Sequence, residues 1–126
     1  MRLYTFTNFY LSDIQKGIQT AHIVSELSLV DHPLFEEWAE EHKTIIVLNG
    51  GNSAGLQNVY SKIARLVETK YPIAKFHEDE QSLNGAFTCV GVIVPAKIYD
   101  HYPLKNWKLS KAENELSNVL SNYRLA

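Results

Sequence analysis

The chain has a single cysteine, Cys89, among its 126 residues. One cysteine excludes an internal disulfide and a multi-cysteine zinc cluster, and it points to a reducing, cytoplasmic compartment. Long apolar runs are also missing. The longest, Val90 to Ala96, is far short of the roughly 20 residues of a membrane helix, so no membrane partner is expected. The opening segment carries one basic residue, Arg2, and no apolar run before Asn8, so it does not read as a signal peptide. There is no basic excess either: 12 Lys and Arg face 14 Asp and Glu, for a net charge of −2. Proteins that grip long nucleic acids draw much of their affinity from phosphate neutralisation. Sequence-specific duplex binding is therefore not expected, although a local contact with a small nucleotide is compatible with this charge. With 45% hydrophobic and 21% charged residues, the composition is that of one ordinary globular domain spanning residues 1–126.

Several reactive patterns are absent as well. His22, His32, His42, His77 and His101 are too far apart to make a pair at the three- or four-residue helical spacing of a zinc site, so no metal and no cofactor is expected. There is no G-x-S-x-G motif, and Cys89 sits inside an apolar run that reads as a buried strand. A covalent hydrolase is not expected.

What is present alternates between strand and helix. Leu3-Tyr4-Thr5-Phe6-Thr7 predicts a first strand, rich in β-branched and aromatic residues. Ser12 or Asp13 is placed to cap a helix of roughly 14 to 16 residues, with Ile14, Ile18, Ala21 and Leu27 at helical spacing and Ile23 and Val24 filling in. Asp31-His32-Pro33 starts a second helix, with Leu34, Phe35, Trp38 and Ala39 as its apolar face. Lys43 to Leu48 predicts a buried strand, and Asn49-Gly50-Gly51-Asn52 a turn after it. Ser53 is a candidate cap for a third helix carrying Leu56, Val59, Tyr60, Ile63, Leu66 and Val67. A short strand at Pro72–Phe76, an acidic loop from His77 to Gly85, a strong strand from Ala86 to Val94 and a helix from about Ser110 to Tyr123 complete the chain. This order predicts an α/β domain in which a four-stranded mixed sheet carries helices, with the strands around the acidic loop antiparallel. Ile45, Ile46, Val47, Val90, Val92 and Val94 are the expected core.

Three constellations could carry chemistry. Gln15, Gln19 and His22 fall on one helical face just after a strand's carboxyl end, where open α/β sheets collect ligands. The plainer reading is a polar face packing on another element. Glu78-Asp79-Glu80 precedes Asn84 and Thr88, and such carboxylates can act as bases or hold ribose hydroxyls, or simply form a solvated turn. Asn49-Gly50-Gly51-Asn52-Ser53 leads into a helix and could cradle a phosphate, but it lacks the lysine of a P-loop.

Together these segments resemble the type 2 peptidyl-tRNA hydrolase family over roughly residues 2 to 100. The likeness rests on Gln19-Thr20-Ala21-His22, on Trp38 followed by Lys43-Thr44-Ile45-Ile46-Val47, on Phe76-His77-Glu78-Asp79-Glu80, and on Asn84-Gly85-Ala86-Phe87-Thr88 running to Pro95. Thr7-Asn8-Phe9-Tyr10-Leu11 and Ile18-Gln19-Thr20-Ala21-His22 are also similar to small uncharacterised proteins of large tailed phages. The family's catalytic lysine position is Gln15 here; Lys16 is adjacent, but one helical residue turns a side chain by about 100°. Glu80 replaces the family's Asp, and its Thr-Ala pair becomes Gly85-Ala86 or is displaced to Thr88. The resemblance thus implies a kept frame with altered chemistry: a non-catalytic protein that sequesters a nucleotide or nucleotide-derived signal, as phage anti-defence sponges do in the host cytoplasm. The expected ligand set is Phe9, Tyr10, Gln15, Lys16, Gln19, His22, Glu78, Asn84 and Thr88, with Phe9 and Tyr10 placed to stack on a base. The alternative is a peptidyl-tRNA hydrolase that cleaves the tRNA ester with Lys16, Glu80 and Thr88. A weaker third reading is a protein-binding role with a vestigial pocket. The resemblance also implies a homodimer or larger assembly.

Overall fold

The computed structural model describes residues 1–79, 81, 85–100 and 108–126. Its sheet has four strands, β1 (Arg2–Asn8), β2 (Ile45–Gly51), β3 (Ile73–His77) and β4 (Phe87–Val94), in the order β2-β1-β4-β3. β1 and β2 are parallel, while β1–β4 and β3–β4 are antiparallel, so the sheet is mixed, as the element order predicts. The chain leaves β1 through α1 (Asp13–Ser28) and α2 (Pro33–Glu37), then a π-helical turn (Trp38–His42) that ends at Lys43, left-handed with φ 59°. α3 (Ser53–Val67) joins β2 to β3; α4 (Ala96–Tyr99) and α5 (Lys111–Ser121) follow β4. This is a single α/β domain.

The two faces of the sheet are packed differently. On one face α3, α4 and α5 bury Leu56, Val59, Ile63, Ile98, Leu116 and Leu120 against Tyr4, Phe6, Val90, Val92 and Val94. On the other, α1 and the Trp38 turn cover a smaller cluster of Leu3, Ile23, Leu27, Ala74, Cys89 and Ile93. Gly91 lets α1 approach closely, because a Cβ there would run into Ile23.

Four expectations are corrected. β2 is an edge strand rather than a buried one: Ile45 is 40% exposed, and Ile46 and Val47 are half-buried. Among the described residues its outer side is met by the last few, where the Asn49 amide donates to the Arg124 carbonyl (2.8 Å) and the Ala126 amide to the Val47 carbonyl (2.9 Å). Next, Asn52, not Ser53, caps α3, its Oδ1 accepting from the Gly55 amide at 2.8 Å. The short helix α4 was not expected at all. Most consequentially, Ile14, Ile18 and Ala21 do not face the sheet; α1 buries Gln19, Thr20, Ile23 and Leu27 instead. Glu80 and Asn84 lie outside the described residues. Among the described residues no helix is long and apolar enough to cross a membrane.

Candidate functional site

Two irregularities in the sheet fall at the same end, beside the carboxyl end of β1. In β2, Thr7 pairs with Asn49 but Asn8 pairs with Gly51, so Gly50 is an extra residue. A Cβ at Gly50 would collide with Leu56, so only glycine lets α3 sit this close, and Gly51 takes φ 79° to complete the turn. In β4, Phe76 pairs with Cys89 but His77 pairs with Phe87, so Thr88 is the extra residue. Bulges re-aim side chains. Here Phe87 and Val90 point to the α3 face, while Thr88 turns to α1, where its hydroxyl donates to Gln19 Oε1 at 2.6 Å.

Between the bulges lies an open cavity of about 240 Å³. Asn8 and Tyr10 enter it from the end of β1, Gln15 from α1, Ser53 from α3, and Ala86 and Thr88 from β4. Helices on opposite faces therefore converge on one crevice at the strand ends, where α/β folds place ligands. Asn8 is fixed from both sides of its amide. Nδ2 donates to the Phe87 carbonyl (3.0 Å) and Oδ1 accepts from the Tyr10 amide (3.1 Å), which ties the aromatic loop to β4.

Behind the cavity runs a buried polar chain. Gln19, 3% exposed, accepts from Thr88 and donates from Nε2 to Glu78 Oε2 at 2.8 Å. A buried amide with both ends bonded is a fixed strut: it locks the Thr88 rotamer and anchors the loop at Glu78. Thr5 and Thr20 hydrogen-bond at 3.1 Å deeper along the same face. Burial there also pushes the Cys89 thiol up to about 12, with the Thr20 and Val90 hydrogen bonds opposing it in part, so the thiol is inert at neutral pH.

The structure brings Gln19, Glu78 and Thr88 together, with Gln15 and Tyr10 at the cavity. His22 stands apart, its ring stacked on Phe76 at 4.5 Å and 13°. Phe9 packs on Tyr10, ring centroids 4.1 Å apart. Lys16 turns away: with Asp13, Gly17, Val47 and Ala126 it lines a different cavity, and its ammonium lies 3.8 Å from Asp13. Asn8 and Ala86 were missed in the sequence, and Ser53 was read only as part of the Asn49–Ser53 turn, not with the α1 face. The only signal for them was position, at the ends of strands and the start of a helix.

The electrostatics are as telling as the geometry. Among the described residues no charged side chain lines the cavity. At each helix start an amide is taken by the helix's own cap. In α1 the Ser12 hydroxyl accepts from the Gln15 amide (3.2 Å) and Gln15 Oε1 from the Ser12 amide (3.1 Å); in α3 Asn52 serves. Such caps satisfy amides that would otherwise receive an anion. Nor do the described residues contain a cluster of three or more His, Cys, Asp or Glu placed to hold a metal. The arrangement can therefore offer amide and hydroxyl hydrogen bonds to an uncharged group beside an aromatic surface. In comparison with known proteins, no family model and no curated protein matches this chain.

Proposed function

We propose that the chain is a non-catalytic binding protein with a peptidyl-tRNA hydrolase-like fold, which sequesters a nucleotide or nucleotide-derived signal in the cytoplasm, as a phage anti-defence sponge does. One observation carries this reading: among the described residues the crevice at the strand ends has a largely apolar lining with amide and hydroxyl groups and no charged side chain, and the adjacent lysine faces another cavity. Ester hydrolysis needs a group that stabilises charge developing in the transition state. Thr88 is committed to Gln19, and Lys16 does not line the crevice. A binder needs neither. At about 240 Å³ the cavity is below the roughly 300–1,000 Å³ of pockets that enclose whole ligands. It suits one ring system, a base or a ribose, read by Gln15, Ser53 and Asn8, with the remainder of the ligand over the Phe9–Tyr10 surface. Glu78 holds Gln19 rather than the ligand, so Gln19 and Glu78 are positioning residues.

Native mass spectrometry of the protein purified from cells tests the proposal. The expected result is a bound species of nucleotide mass. Ligand-free protein that turns over peptidyl-tRNA, with the turnover abolished by Lys16→Ala, would replace the binder with the hydrolase.

A further inference from the structure

The hydrogen bonds that hold the crevice's amide side chains also decide which of their ends a ligand can meet. A backbone N–H can only donate, so an amide side chain that accepts from one places its carbonyl oxygen there and its NH2 elsewhere. Asn8 Oδ1 accepts from the Tyr10 amide, and Nδ2 gives one hydrogen to the Phe87 carbonyl. Gln15 Oε1 accepts from the Ser12 amide. Both carbonyl oxygens are therefore taken by backbone. One N–H of Asn8 and both of Gln15 remain, and among the described residues no acceptor meets them.

Thr88 does not balance these donors. Its hydroxyl donates to Gln19 and the residue is 1% exposed, so the oxygen belongs to the strut behind the crevice. Tyr10 and Ser53 carry hydroxyls, which take either role, and Leu11 and Ala86 add apolar surface. Among the described lining residues, the polar side chains with a fixed role toward a ligand are thus donors.

Such a lining selects a ligand by the acceptors it presents side by side. Guanine sets two acceptors, O6 and N7, next to each other, whereas adenine pairs N7 with an N6 amino donor and cytosine offers an N4 amino donor. Uracil has two carbonyls, but an N–H stands between them and needs an acceptor of its own. Beside the crevice, the Phe9 and Tyr10 rings lie 4.1 Å apart between centroids and are exposed. A purine covers more of that stacking surface than a pyrimidine does.

We propose that the crevice selects a 6-oxopurine base, guanine above all, whose O6 and N7 accept from the free amide hydrogens of Gln15 and Asn8. This rests on the reading of the crevice as a nucleotide site and names the base that the site takes.

Titration calorimetry on the full chain with guanosine, inosine, 7-deazaguanosine, adenosine and cytidine tests it. Guanosine and inosine share O6 and N7 and should bind within a few-fold of each other. Adenosine, and 7-deazaguanosine with a C–H in place of N7, should each bind more weakly by about 5- to 150-fold. Gln15→Glu isolates the donor, because glutamate at this position keeps the capping box with Ser12 and replaces the free N–H groups with an acceptor. The nucleosides are uncharged, so the new carboxylate acts on them through its hydrogen bonds. The thermal midpoint of the variant should not fall, its guanosine affinity should drop by a similar factor, and its preference should move toward adenosine and cytidine. A parent that prefers adenosine or cytidine overturns the base assignment and leaves the binder standing. So does 7-deazaguanosine binding as tightly as guanosine, or a Gln15→Glu variant that keeps the parent's preference. Binding of no nucleoside at all overturns both the base assignment and the nucleotide reading beneath it.

Discussion

The two helices that cover the sheet, α3 and α1, obey opposite rules. α3 buries Leu56, Val59, Ile63 and Val67 at helical spacing and turns its polar residues outward, so its pattern and its packing agree. α1 buries Gln19 and Thr20 with Ile23 and Leu27 and leaves Ile14 and Ile18 in solvent. Stability alone favours the first arrangement, since each buried aliphatic side chain contributes about 1.5–3 kcal/mol. The N-terminal half of α1 gives up that gain twice over, at the sheet and at the surface. In return its inner side holds the Glu78–Gln19–Thr88 strut behind the crevice, while Ile14 and Ile18 stay exposed on its outer side. Departure from the expected pattern singles out α1 as the helix on which the proposed function is to be tested.

The contrast can be broken by mutation. Ile63→Ala should cost about 4 kcal/mol, because it removes a fully buried side chain and leaves a cavity. Ile14→Ser should change monomer stability by less than about 0.5 kcal/mol despite removing a residue of the same type. Urea melts at low chain concentration compare the two, and equal losses would mean that α1 is an ordinary core helix.

A smaller effect, and one that depends on pH, is expected from the α5 side. There Glu113, 5% exposed, caps α5 with Ser110 and accepts from the Tyr71 hydroxyl at 2.6 Å. Its carboxylate also meets Lys97 at 2.7 Å and Lys70 at 3.2 Å. Burial alone would push the Glu113 carboxyl up. The hydrogen bonds from Lys97, Tyr71, the Ser110 amide and Lys70 outweigh it and hold the group well below the usual carboxylate range. Burial, joined by the hydrogen bond and charge of Glu113, raises the Tyr71 phenol in turn. A carboxyl lowered on folding stabilises the protein above its unfolded value of about 4.3, and that contribution is lost as the pH falls below it. Glu113→Gln should therefore cost about 3 kcal/mol at pH 7, and the gap between variant and parent should narrow from pH 5 downward, as acid melts would record.

The polar strut is the smallest of the three. Gln19→Leu should destabilise by about 2 kcal/mol, because Thr88 and Glu78 both lose a buried partner. Thr88→Val on top of it should cost much less than it does alone, since the strut is then already broken. Additive losses in a double-mutant cycle would dissolve the strut into independent contacts.

How far the sequence could be read follows the same contrast. The order of the four strands with α1, α2, α3 and α5, the antiparallel pair around the acidic loop, the start of α1 at Ser12 or Asp13 and the apolar face of α3 were legible because local pattern and packing coincide there. Ile45 to Val47 read as buried because three apolar residues in a row look alike in a central and an edge strand. Strand order, which decides between them, is set by contacts far apart in the chain. The grouping of Gln19, Glu78 and Thr88 was legible in part. Gln19 and His22 share a helical face, but the bulge at Thr88, which changes alternation by one residue, leaves no local mark in Phe87-Thr88-Cys89-Val90. The Gly50-Gly51 pair did leave one, and in the fold it records close packing of α3 and a sharp turn.

The most direct test of the crevice as the binding site is titration calorimetry with a panel of the four ribonucleosides and their 5′-monophosphates. The parent should bind at least one nucleoside, and the matching monophosphate should bind within a few-fold, because no charged side chain among the described residues lines the cavity. Ala86→Phe, which fills the cavity, should abolish the heat of binding, while Lys16→Ala should leave it unchanged. Binding that survives Ala86→Phe, or that is lost with Lys16→Ala, would contradict the account.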